Sequence, residues 1–458
     1  MELGIFDFIL FPIYVYIFHR IFLARRKRIE DPLLQKYHKQ AFWIKIASTV
    51  VFTIFCVYIS RGDSTSLYYP EGLNIYHLIL KNPSEHLKWV FLPGKDFDES
   101  YLFDQYNQGY FKGESNYFIV RLVTIFSFIS FGSYFVMNLF FSMIAFSGVW
   151  RLYKFFYELY PHLHKKLAIA ILFLPTMVFW TSGILKDPIC AGMLGWLTYS
   201  LYSVFYKRKS IARNILIILF SGYVLGVVKA YILISYMPFF MLFIILKNIG
   251  RIKNVFLKIF IGIAILSCSI YGVFIVADLL QDEMGLYAVD KLAETVKTQQ
   301  TNYNNMADQA ESSFSLGVEF DGSPQGMIKM APAAIVATLY RPFLWESRKI
   351  STLLSSLESL AMMLLIVYVF FRIGPFNFIL SFFRDPMILF GFFFSMVFAL
   401  FVGATTLNFG TLVRYKLPCL PFYIISLFLM LDVYYKRKAA RALKKEQQQQ
   451  AVLALGIA

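Results

Sequence analysis

Apolar runs long enough to cross a lipid bilayer recur along the whole chain, separated by short segments rich in Lys and Arg. A helix needs about 20 such residues to span the hydrocarbon core, and it satisfies its own backbone hydrogen bonds there. The runs fall near 4–23, 42–60, 133–153, 167–185, 188–206, 213–229, 231–248, 257–278, 353–371, 386–404 and 417–435. The expected fold is therefore all-α, a polytopic transmembrane helix bundle of about 11 spans.

Composition excludes the main alternatives. A chain that is 58% hydrophobic and 16% charged has too little polar surface to be wetted as a soluble protein. Its 50 Phe and 30 Tyr suit lipid-facing helices and interfacial belts, so aromatic residues as such do not mark a ligand. The net charge of +16 would suit nucleic acid if it formed one patch. Divided among inter-span segments, it reads instead as a topology signal, and no nucleic-acid partner is expected. Cys56, Cys190, Cys268 and Cys419 lie in apolar segments without CxxC spacing, which argues against a disulfide framework or a zinc site.

The basic segments alternate in one arrangement only. Residues 4–23 are followed by Arg25-Arg26-Lys27-Arg28 rather than by a cleavage site, so the first helix is expected to remain, with its N-terminus outside. Stretches 24–41, 154–166, 207–212, 249–256, 372–385 and 436–458 then lie in the cytoplasm and hold most of the Lys and Arg. The expected location is the cytoplasmic (inner) membrane. Residues 117–131 could form a twelfth span, but that would invert the later charge pattern. They are read as a helix on the outer surface with Arg121 at its polar edge.

Six regions follow: two helices with a basic loop (1–60), a first outer segment (61–132), helices three to eight (133–278), a second outer segment (279–352), helices nine to eleven (353–435) and a basic tail (436–458). The outer segments are the acidic ones, and 282–313 has a polar, helix-compatible composition. Chemistry is expected on the outer face, where most of the mass outside the membrane lies.

Five patches offer reactive groups there. Asp63, in Arg61-Gly62-Asp63, sits where the second run emerges; a carboxylate on a loop tied to a helix can orient or deprotonate a hydroxyl. A solvated helix end is the bland alternative. Lys186 and Asp187 occupy a sharp outer turn before Pro188, where Lys186 could bind a phosphate and Asp187 could position it or cap the next helix. Lys229 lies where two runs meet with almost no loop, reaching headgroups or a cavity. Arg341 offers a planar fork for a diphosphate, with Glu346 to hold it or to meet sugar hydroxyls, and Trp345 and Phe343 as interfacial anchors. Arg414, Tyr415 and Lys416 enter the last run, and their cations break the positive-inside pattern. Nucleotide-binding, zinc-hydrolase and serine-hydrolase motifs are missing from the sequence.

Taken together, Gly62-Asp63 after an early span, the turn Ser182-Gly183 with Lys186-Asp187 after Pro175, and Arg414-Tyr415 before Pro418 and Pro421 resemble bacterial multi-span glycosyltransferases of the GT-C type. Membrane proteins of O-antigen-like polysaccharide assembly share that appearance. The resemblance implies transfer of a sugar or oligosaccharide from a donor on polyprenyl phosphate or diphosphate, at the outer face. It implies Asp63 as base or acceptor-orienting group and Lys186, Arg341 and Arg414 as phosphate binders. Membrane lipid, the polyprenyl-linked sugar and other envelope-assembly proteins would be the partners. The first loop lacks an Asp-Asp or Glu-Asp pair, so a divalent metal has no support. The alternatives are a repeat-unit polymerase, a flippase for lipid-linked sugar, and a non-catalytic membrane subunit.

Overall fold

The computed structural model describes residues 2–248, 301, 314–318, 324–347 and 350–454. Every regular element among them is helical. Among the described residues six helices are long and apolar enough to cross a membrane, or seven if the bent pair Phe409–Tyr415 and Leu420–Ala451 forms one broken span. The chain thus has the build of a multi-pass membrane protein. The expected run at 257–278 and, apart from Thr301, the polar stretch 282–313 lie outside the described residues.

Helix α1 (Ile5–Arg26) lies on the rim of the bundle, packed along one side through Phe11, Tyr14, Phe18 and Phe22, and of its residues only Asp7 and Phe22 are buried. Its start is tied down by Asp7, which accepts from the Ser133 hydroxyl at 2.5 Å and the Phe135 N–H at 3.3 Å. Helix α2 (Pro32–Ile54) begins ten residues before the apolar run, because Asp31 caps it through the N–H groups of Leu33 and Leu34 and Pro32 suits its first turn. A π-helical turn, Phe55–Ile59, extends it. Helices α3 (Tyr69–Lys81) and α4 (Glu114–Ser130) then pack on one another before α5 (Tyr134–Leu159) runs back through the bundle.

The sequence places α4 on the surface with Arg121 at a polar edge. Its start is joined to Val228, whose carbonyl accepts from the Ser115 hydroxyl, and its end to α1, where the Ile129 carbonyl accepts from Tyr14, midway along that helix. Arg121, however, faces inward. It pairs with the buried Glu114 and donates to the Leu92 carbonyl at 2.7 Å, because a cation among apolar helices is cheaper clamped than bare.

The expected fourth run is broken into α6 (His164–Ile171) and α7 (Pro175–Trp180), with Pro175 restarting the helix. Helix α8 (Lys186–Tyr202) crosses α5 at closest approach. A Cβ on Gly148 would lie 1.8 Å from the Gly192 carbonyl oxygen, so only small residues allow this contact.

Helix α9 (Ile211–Asn248) is a hairpin rather than one rod, since Lys229 has φ −152° and ψ 76°. Its second limb returns to where the first began: the Lys247 ammonium lies 5.2 Å from the ring of Tyr206, five residues before the helix starts. The two runs expected at 213–229 and 231–248 are these limbs.

The remaining described elements are α10 (Pro324–Tyr340), α11 (Ile350–Ile373), α12 (Pro375–Ser381), α13 (Pro386–Thr405), α14 (Phe409–Tyr415) and α15 (Leu420–Ala454). The sequence assigns 279–352 to an outer segment, yet α10 belongs to the bundle. It packs along α13, with the Thr338 hydroxyl on the Ala399 carbonyl, and Tyr340 meets Tyr423 of α15 at 2.5 Å between hydroxyls. One side of it, with Met330, Ala334 and Leu339, is fully buried, while Ile328 and Val336 face outward.

Helix ends collect the basic segments on one face. Tyr157 bonds Asp31, Tyr160 bonds Asp385, His162 meets Asp432, Lys207 pairs with Glu158 and Arg372 donates to Tyr435. This basic face is opposite the end that carries Asp7, Asp63 and Lys229.

Candidate functional site

Three Asp-Pro steps in the described chain show how one sequence signal serves two purposes. Asp31 and Asp385 cap the helices that begin after them. Asp187 does not: its helix is entered through Leu185, with no side-chain cap. Its carboxylate is turned into the bundle instead and is 2% exposed.

There it joins residues from three other segments. Lys229, at the α9 turn, donates to Asp187 Oδ1 at 2.6 Å. Arg414, on α14, donates through Nε to Asp187 Oδ2 at 3.1 Å and through Nη1 to Asp63 Oδ2 at 3.0 Å. Charges thus alternate along Asp63, Arg414, Asp187 and Lys229. The Lys229 ammonium also sits 4.0 Å over the Tyr415 ring, and the Arg414 guanidinium 5.7 Å from that of Trp180. Lys186 does not pair with its neighbour Asp187; it donates to the Ser115 hydroxyl at 2.5 Å.

Each position follows from local structure. The break at Lys229 puts a cation at the apex of a hairpin instead of on a lipid-facing helix side. Asp63 precedes a π-helical turn, Ser64–Tyr68, held by Ser64 against the Tyr134 hydroxyl at 2.8 Å and by Tyr68 against Asn116. The approach to Lys186 requires Gly183, where a Cβ would lie 2.0 Å from the Phe52 ring. The expected sharp outer turn is therefore a buried one: Thr181, Ser182, Ile184 and Leu185 are all at most 2% exposed.

Arg341 and Glu346 form a separate group. Glu346 Oε1 meets Arg341 Nε at 2.9 Å and also Nη2, while Phe314 and Phe409 flank the guanidinium at 4.3 and 5.2 Å. Glu346 thus holds Arg341, one of the two roles expected of it. Trp345 is 79% exposed and stacks on Phe343, as an anchor would. Phe409 and Arg414 share the seven-residue α14, so the two groups are neighbours at opposite ends of one short helix. Lys416 continues the link, donating to Ser359 at 2.9 Å and to the Arg341 carbonyl at 3.3 Å.

One buried cation escapes a search for outer-face charges: Lys45, 6% exposed within α2, which donates to the Val178 carbonyl and to Thr181. The lone Lys in Trp43-Ile44-Lys45-Ile46 is its sequence signal.

Three cations and two carboxylates leave the Asp63 group positive, and Asp63 is its open end at 41% exposure against 14% for Arg414. Such a group can bind an anion at Lys186, Lys229 and Arg414 and present a carboxylate beside it. Among the described residues no three His, Cys, Asp or Glu side chains gather at metal-binding spacing. Compared with family models, with curated proteins and with solved structures, the chain matches none.

Proposed function

We propose that the Asp63 group is the reaction centre of a membrane glycosyltransferase that takes a sugar or oligosaccharide from a polyprenyl-phosphate-linked donor. The observation that carries this is the alternating network of Asp63, Arg414, Asp187 and Lys229, gathered from four separate segments inside an apolar bundle. Charges are costly there and are retained where they do chemistry. In this reading the chain crosses the membrane about eleven times, with the basic face in the cytoplasm and the site toward the outside.

The network suggests how the two substrates are coupled. With no donor bound, Arg414 neutralises Asp63, and a carboxylate so paired is a poor base. A donor phosphate competes for Arg414 and draws on Lys186, so the Asp63 carboxylate is released to accept the proton of the attacking hydroxyl. The hydroxyl oxygen bonds to the anomeric carbon as the bond to phosphate oxygen breaks, and the cations stabilise the departing phosphate. Asp187 stays buried and keeps Lys229 and Arg414 in place. Arg341, already held by Glu346, is better suited to a second lipid-linked chain, which favours a repeat-unit polymerase as the closest variant.

The test is transfer from a synthetic polyprenyl-linked sugar by the purified protein in nanodiscs. Asp63→Asn is expected to lower turnover by on the order of a hundredfold with donor binding kept. Arg414→Ala is expected to weaken donor binding as well, since its contact with phosphate acts in the ground state too. Normal transfer in both variants would leave the network a structural brace.

A further inference from the structure

On the opposite, basic face, a groove of about 810 Å³ opens between α1 and the α5–α8 pair. Its two ends differ in chemistry. Phe18, Phe126, Ile129 and Phe140 line the end nearer the middle of the bundle; Arg25, Arg28, Arg151, Lys154 and Arg213 line the other. Along α5, Phe140 and Lys154 are separated by roughly 21 Å of helix rise. That is close to the depth of one leaflet with its headgroup, given a hydrocarbon core of about 30 Å for two leaflets.

Among the described residues none of the five cations lies at ion-pair distance from a carboxylate, and the nearby Glu158 is held by Lys207 at 2.7 Å. Arg151 instead stacks 3.5 Å over Trp196, close enough to Arg25 and Arg213 to be repelled by both. His38 is a second, independent sign of a missing partner. It lines the groove at 3% exposure, sandwiched between Phe22 and Trp150 at 4.7 and 4.6 Å, and its Nδ1 has no hydrogen-bond partner.

We infer that this groove holds one anionic glycerophospholipid of the surrounding leaflet, its phosphate among Arg25, Arg28, Arg151 and Arg213 and an acyl chain against Phe18 and Phe140. The groove opens sideways past the exposed Ile21 and Ile129, so the rest of the lipid remains in the bilayer. A free phosphate would leave the apolar half empty, and a zwitterionic headgroup would bring its own cation into an already positive cluster. This inference stands apart from the Asp63 group and does not depend on what that group does.

The test is native mass spectrometry of the whole protein released from detergent with phosphatidylglycerol, phosphatidylethanolamine of the same chains, or undecaprenyl phosphate, singly and in equimolar competition. One phosphatidylglycerol is expected to stay bound, in preference to both others. Arg25→Ala/Arg28→Ala/Arg213→Ala changes only exposed side chains and is expected to reduce that adduct at least fivefold, whereas Lys165→Ala/Lys166→Ala on the same face leaves it unchanged. Equal retention of the zwitterionic lipid, preference for the polyprenyl phosphate, or an unaltered adduct in the triple variant would each overturn the proposal.

Discussion

Asp63 and Asp187 share one arginine yet play different parts, and burial separates them. Asp187 is 2% exposed and is the counter-ion of two cations; Asp63 is 41% exposed. Removing one partner of a buried ion pair costs about 3–5 kcal/mol, because the other charge is left bare, whereas an exposed pair contributes about 0–1 kcal/mol. Asp187→Asn is therefore expected to lower the thermal midpoint markedly, and Asp63→Asn hardly at all, in unfolding scans of the detergent-solubilised protein. Equal midpoints would show that the network does not brace the fold. This contrast also ensures that activity lost in Asp63→Asn is not lost through unfolding. From sequence the two aspartates look alike, each at a helix end; which one is buried depends on α9 and α14, far away along the chain.

At the scale of elements, helix ends on the basic face are fastened by hydroxyl-to-carboxylate contacts. The Tyr157 hydroxyl on Asp31, at 2.5 Å, and the capping N–H groups of Leu33 and Leu34 hold the Asp31 carboxyl below its ordinary value of 3.8. A carboxyl whose folded-state value is lowered adds stability that is complete above the unfolded value and is lost as pH falls through the folded one. Stability is thus expected to decline as pH drops below about 3.8, and Tyr157→Phe to flatten that decline while lowering stability at neutral pH. Unfolding midpoints between pH 3 and 7 for the two proteins measure it, and parallel pH profiles would contradict it. The hairpin α9 is legible at this scale, since Lys229 interrupts an otherwise continuous apolar stretch. The insertion of α10 into the bundle is not, because its apolar run is short, contains Pro332 and follows a long polar stretch.

For the whole molecule, the gathering of basic segments on one face is what positive-inside topology requires, but the bundle by itself has no inside. Single cysteines decide it. With the basic face in the cytoplasm, one at Ser100 is expected to react with an impermeant thiol reagent in intact cells, while those at Asn248 and Gln448 stay unlabelled. The reverse pattern would place the Asp63 group in the cytoplasm and remove the outer-face transfer reaction. Labelling at Asn248 without Gln448 would instead break the α9 hairpin.

What the sequence determined by itself is the solvent of the fold and its alternation. Apolar length selects helices in lipid, and Lys and Arg clusters set which helix ends share a face, because both signals are local and additive along the chain. The same logic put Asp63, Lys186, Arg341 and Arg414 at one membrane depth. Only the tertiary structure decided that Arg414 bridges Asp63 and Asp187, that Glu346 takes up Arg341, and that Arg121 and Lys45 turn inward. Pairing among charges is a matter of which partner removes the most desolvation cost, and that is fixed by helix packing rather than by spacing. Here the packing turns on contacts such as Gly148 on Gly192 and Gly183 against Phe52, which no run of apolar residues reveals.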